Sequence, residues 1–249
     1  MPSIIRVSPG DGVTVITLAD PGRRNALSGQ MSDELAAAVS DAVAGGARAL
    51  VLAAEPPVFC AGGSLDDLLR PDRPLAAAYA GFLALAEAPV PTVAAITGAA
   101  IGAGVNLPLA CDVVIAGESA RFDPRFLDVG IHPGGAHLWR LAQRTGPQGA
   151  AALVLFGDTL TGAEAAAQGL AWRCVPDEDA LPVALRLARR AADRSPALVR
   201  RAKQSLRETT GYAGAAEAAA VELAAQQWSV EQPYFTDKVT ALREQIRSR

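Results

Sequence analysis

Histidine and cysteine are scarce in this chain, with two His and three Cys among 249 residues. His132 and His137 are the only imidazoles, and Cys60, Cys111 and Cys174 lie far apart, so no ligand pair has zinc-site spacing and no metal is expected. An odd number of dispersed thiols in apolar surroundings also argues against a disulfide scaffold; it suits small buried residues in a reducing compartment. Basic blocks are missing too. Lys and Arg number 23 against 26 Asp and Glu, for a net charge of -3, and no stretch is basic enough to neutralise a row of phosphates, so nucleic-acid binding is not expected. The arginines of 186–207 fall in helical pattern and read as a solvated helix face. The opening MPSIIRVSPGDG lacks the unbroken apolar run of a signal peptide, which makes a cytoplasmic location the expectation. Residues 88–111 carry no charge and are long enough to span a bilayer, but Pro89, Pro91, Gly98, Gly102, Gly104 and Pro108 interrupt them. That density fits a buried strand, a glycine turn and a short packed helix, not a membrane span.

What is present is apolar residue in quantity, at 50% of the chain. This is enough for one large core, with or without an appended helical piece. GVTVITLA (12–19) alternates as a half-buried strand does, and DPGRRNA then turns the chain into a helix capped by Ser28. ARALVLAA (47–54) is continuously apolar, as expected of a strand covered on both faces. A loop, a short polar helix and a longer helix over 74–87 follow, and then strand PTVAAIT, turn GAAIG, helix AGVNLPLA and strand DVVIAG. The recurrence predicts a layered α/β fold. Beyond Gly134 the pattern is mainly helical, with one apolar segment at AWRCVP; from Ser195 it reads as three helices. We therefore expect an α/β core over 1–194 and a helical region over 195–249, which either promotes oligomerisation or closes the core.

Two glycine-rich turns, FCAGGSLDDL (59–68) and TGAAIGAGVNLPLACD (97–112), each join an apolar strand to a helix. The first N–H groups of a helix have no intrahelical acceptor and sit at its positive end, so each turn offers donors to an anion or a carbonyl oxygen. The same glycines could serve only to make tight turns. A dinucleotide-binding reading of the second turn fits poorly, since Leu107 stands where a third glycine is required.

These motifs, with ADPGRRNALSGQM, VPTVAAITGAAIGAGVNLPLACDVVIAG, FLDVGIHPGG, WRLAQRTG, TGAEAAAQGLAWRCVP and SPALVRRAKQSL, occur in order over nearly the whole chain. In them the sequence resembles the crotonase superfamily, the enoyl-CoA hydratases and isomerases of acyl-CoA and fatty acid metabolism. The resemblance implies a spiral of β-β-α units with a C-terminal helical region. It implies an acyl-CoA thioester as substrate, with coenzyme A entering as part of it and no separate cofactor. Gly63 and Ala103 would supply an oxyanion hole of two backbone N–H groups. Arg24 and Ala26 would lie on the phosphate and adenine side, with Arg23 able to substitute for Arg24, and Ala61 and Gly62 would offer backbone contacts to the adenine end. Homotrimers or dimers of trimers are implied through the C-terminal helices.

The family pattern breaks where the chemistry is done. The two glutamates that hold water in hydratases of this type correspond to Asn106 and Phe126, and neither exchanges a proton near neutral pH. General acid–base catalysis contributes roughly 10² to 10⁴ per group, so hydration by the usual route does not follow from the resemblance. Ser64 stands where Asp is frequent. His132 and Asp128 are the substitutes the sequence offers, with Phe126 assigned to the acyl pocket and Asn106 able to orient a water or the acyl group. Three readings remain: an enoyl-CoA hydratase or isomerase, a non-catalytic acyl-CoA binder or carrier, and a thioesterase or isomerase with other acid–base groups.

Overall fold

In the computed structural model, residues 3–70, 73–212 and 214–247 are described. The chain divides into two units, residues 1–191 and 192–249. The strands are β1 (Ile5–Gly10), β2 (Val13–Leu18), β3 (Ala49–Ala54), β4 (Thr92–Ile96), β5 (Ala99–Ile101), β6 (Val113–Gly117), β7 (Arg121–Asp123), β8 (Leu160–Thr161) and β9 (Arg173–Val175). The helices of the first unit are α1 (Gly29–Ala44), α2 (Leu65–Leu69), α3 (Ala80–Glu87), α4 (Asn106–Ala110), α5 (His137–Leu155), α6 (Gly162–Ala167) and α7 (Asp177–Ala192).

β1 and β2 form a hairpin because Asp11 and Gly12 both accept positive φ (46° and 77°), as a two-residue turn of this twist requires. From β2 onward the large sheet is parallel, in the order β1-β2-β3-β4-β6-β9. Helices cover it, so β3 and β4 are buried almost throughout and their continuous apolar runs are explained. Ser28 caps α1, its Oγ accepting from Met31 N at 3.1 Å. Met31, Leu35, Ala38 and Val39 then recur at helical spacing and are buried in the core.

A second, smaller layer explains where the site forms. β5, β7 and β8 make a three-stranded sheet, and single bridges extend it from Ala100 to Cys60 and, one turn earlier, from Gly63 to Leu27. β2, β3, β4 and β6 are thus each followed by a short segment in the second layer and then by a helix. That is the β-β-α spiral of the crotonase fold, and it stacks the two glycine turns on neighbouring turns of the coil.

The second unit holds α8 (Pro196–Thr209), α9 (Ala215–Val230) and α10 (Pro233–Arg247), with α8 packed on α9. Ser195 and Pro196 open α8 as N-cap and first residue. Arg201 stacks on Trp228, 5.6 Å from its ring centre. Among the described residues no helix is long and apolar enough to cross a membrane, and residues 88–111 fold as β4, β5, a 3-10 turn and α4.

Candidate active site

The first glycine turn is fixed from both sides. Cys60 N donates to Ala99 O (3.0 Å) and Ile101 N donates to Cys60 O (2.9 Å), joining it to the second turn. On its other side Leu27 N donates to Gly62 O (2.7 Å), Ser64 N to Leu27 O (3.0 Å) and Ala61 N to Arg24 O (3.0 Å). Gly62 has φ +96°, and a Cβ there would lie 2.7 Å from Ile101 O and 3.8 Å from Ala103 N. Only glycine permits that approach. Asn25, fully buried, ties the arginine turn to the same loop: its Oδ1 accepts from Asp20 N (2.9 Å), and its Nδ2 donates to Glu55 O (2.8 Å) and Val58 O (2.9 Å).

These bonds decide which amides the fold leaves over. In the bridge to Leu27 it is the neighbours of Gly63, Gly62 O and Ser64 N, that face the partner, so the Gly63 N–H is directed to the other side. Ala103 lies in the opening 3-10 turn of Gly102–Val105, where an N–H has no preceding carbonyl in register. Neither N–H has a protein acceptor among the described residues. Gly63 and Ala103 are both only partly buried.

Three residues beyond Ala103, the Asn106 side chain is buried at the start of α4. Its Nδ2 donates to Gly134 O (3.3 Å) and its Oδ1 lies 2.7 Å from His137 Nδ1. A carbonyl can only accept, so Gly134 fixes the amide's orientation and the bond to His137 must run from Nδ1–H to Oδ1. His137 is 1% exposed, and its Nε2 has no partner among the described residues. Burial, reinforced by the Arg140 guanidinium, pushes its pKa down to about 4, so the ring is neutral at pH 7. Phe126, also buried, meets His137 edge to face at 4.8 Å between ring centres. The Gly134-Gly135 loop reaches this position by packing tightly against α3 and the turn before it: a Cβ on Gly134 would lie 2.2 Å from Tyr79 Oη, and one on Gly135 would lie 2.4 Å from Phe82 Cζ.

The model of the enoyl-CoA hydratase/isomerase family matches residues 9–241. The chain belongs to this family, within the crotonase superfamily. A "Probable enoyl-CoA hydratase" of Mycobacterium tuberculosis is 38% identical over 238 residues, covering 92% of this chain and 93% of that protein. The 2,3-dehydroadipyl-CoA hydratase of Escherichia coli K12 is 35% identical over 212 residues, covering 82% and 81%. The crystal structure of an enoyl-CoA hydratase from Polaromonas sp. JS666 superposes with a TM-score of 0.89 at 27% identity, covering 97% of each chain.

Against the crotonase pattern, Asn106 and Phe126 come together through one shared neighbour, His137, to which the sequence alone assigns no role. Among the described residues neither His132 nor Asp128 shares a hydrogen bond with them. His132 is exposed and bonds through Nδ1 to Pro133 O (2.7 Å), while Asp128 is exposed in the 3-10 turn of Leu127–Val129. Asp123 and Arg125 form an ion pair in which the Asp123 side chain is buried and that of Arg125 is exposed. Arg23 and Arg24 are exposed beside half-buried Ala26, and Ala61 is half-buried one strand away. Ser64 caps α2, accepting from Asp67 N at 3.3 Å, and Asp67 Oδ2 in turn accepts from Gly29 N (2.9 Å).

Proposed function

We propose that this crotonase-family chain binds an acyl-CoA thioester and polarises its carbonyl with the N–H groups of Gly63 and Ala103, acting on 2-enoyl-CoA as a hydratase or isomerase. The observation that carries the reading is that neither of these N–H groups has an acceptor among the described residues, while their turns are locked together. Magnitudes support it. Adjacent strands are about 4.8 Å apart, and two donors each about 2.9 Å from one oxygen, at a near-tetrahedral angle, are separated by almost the same distance, about 4.7 Å. Losing one such donor costs roughly 3 to 4 kcal/mol in the transition state. Arg24 and Arg23 are exposed to meet the phosphates, Ala26, Ala61 and Gly62 border the adenine end, and Phe126 lines the acyl side.

A second reading, an acyl-CoA binder or carrier without turnover, draws on one specific fact: neither Asn106 nor Phe126 can take the proton that a glutamate would take. The 2-enoyl-CoA substrates separate the two. Calorimetry reads binding, and the fading absorbance of the conjugated thioester reads turnover. Binding with turnover supports the enzyme, binding alone supports the carrier, and no binding defeats both. We further propose that α9 and α10 join copies of the chain into trimers. Leu223, Phe235, Leu242 and Ile246 are each at least 40% exposed in the single chain, and analytical ultracentrifugation would read the assembly directly.

A further inference from the structure

We propose that Nε2 of His137, oriented by the bond from its Nδ1–H to Asn106, is the group that moves the proton in this site. The inference rests on the acyl-CoA reading above and adds to it the residue that replaces the missing glutamates. Three observations meet here. His137 touches both side chains that stand at the glutamate positions, Asn106 by a 2.7 Å hydrogen bond and Phe126 by ring contact. Its Nε2 is buried without a partner among the described residues, a destabilising arrangement that a purely structural histidine would avoid by bonding both nitrogens. Asn106, which holds the imidazole, follows Ala103 by three residues, directly after the 3-10 turn that carries the oxyanion amide.

The tautomer makes the assignment chemically specific. With Nδ1 protonated toward Asn106, the lone pair is on Nε2, as a general base requires. A histidine shifted to about 4 also has the basicity of an ordinary carboxylate, the group it would replace. In hydration, Nε2 takes a proton from the attacking water as its oxygen bonds to C3 of the 2-enoyl-CoA. The C2–C3 π pair moves into the thioester enolate held by Gly63 and Ala103. The imidazolium then returns the proton to C2, and water has been added across the double bond.

His137→Gln tests this in the full-length chain. It keeps a polar group of similar reach and removes the proton transfer. We expect kcat for 2-butenoyl-CoA to fall at least about 100-fold, while KM and the calorimetric Kd for butyryl-CoA stay within about threefold. Turnover within about threefold of the parent overturns the proposal. So does a parent protein that binds butyryl-CoA but neither hydrates 2-butenoyl-CoA nor exchanges C2 hydrogens with deuterated water, a result that leaves the binding reading intact. Failure to bind any acyl-CoA defeats that reading, and this proposal with it. Should His137→Gln not fold, 15N NMR of the parent decides. A lone-pair resonance at Nε2 that moves when butyryl-CoA is added supports the assignment, and one that does not respond overturns it.

Discussion

Asn106 and His137, 31 positions apart in sequence, are joined by a 2.7 Å side-chain hydrogen bond in the interior of the protein. The bond fixes one ring nitrogen as a donor and leaves the other without a partner among the described residues, and the ring's burial makes folding sensitive to acid. His137 has a pKa of about 4 when folded against an ordinary 6.5. Between those values the unfolded chain binds a proton that the folded chain does not, so stability is complete above 6.5 and is lost as pH falls toward 4. The group's full contribution is about 3 kcal/mol. Denaturant melts at pH 7 and pH 4.5 should show a larger acid loss for the parent than for His137→Gln. Equal losses in the two proteins would contradict the neutral buried ring.

Replacing Asn106 with Asp changes the same pair differently. A carboxylate facing Nδ1–H favours the charged imidazolium, so the histidine pKa should rise above its present value. NMR titration of the His137 ring checks the direction, and a pKa that stays low would show that the hydrogen bond does not govern the ring.

Gly62→Ala should be severe although it adds one methyl group. The φ of +96° is strained for any L side chain, and the new Cβ would meet Ile101 O at 2.7 Å. We expect a loss of about 2 to 4 kcal/mol and, because the two turns must separate, weaker acyl-CoA binding. Denaturation and calorimetry measure both.

Asn25→Ala removes three hydrogen bonds and strands Asp20 N, Glu55 O and Val58 O. At roughly 1 kcal/mol for each partly buried group left unmet, a loss of about 3 kcal/mol is expected in urea melts. Asn25→Asp keeps the acceptor but turns both donor bonds repulsive, so it should not rescue.

The thiols should be unequal. Burial pushes the Cys60 thiol up to about 12 and leaves it fully covered, and Cys111 is also buried, whereas Cys174 is partly accessible. Alkylation at pH 8 followed by mass spectrometry should label Cys174 first, and Cys60 only on unfolding.

The large sheet was legible because β3 and β4 are continuous apolar runs, and the glycine turns were legible because their composition breaks those runs abruptly. β5 and β7 escaped notice: each has three residues and is a strand only because the next turn of the spiral pairs with it. The long helix expected over 74–87 is a 3-10 segment, Leu75–Tyr79, leading into the shorter α3. His137 was invisible for a related reason. Residue type alone does not distinguish it from His132; it is the close fit of Gly134 and Gly135 against Tyr79 and Phe82 that sets the loop leading from Asn106's neighbour Gly134 into α5. Its place at the start of a helix, one residue past Pro133-Gly134-Gly135, was the one signal available.

The central claim concerns the thioester oxygen, and the carbonyl stretching frequency of bound butyryl-CoA labelled with 13C at C1 reads its environment directly. If the Gly63 and Ala103 amides both donate to it, the band moves to lower frequency on binding, and Gly62→Ala reverses part of that shift. A band at the same frequency bound and free would mean that the carbonyl meets neither amide.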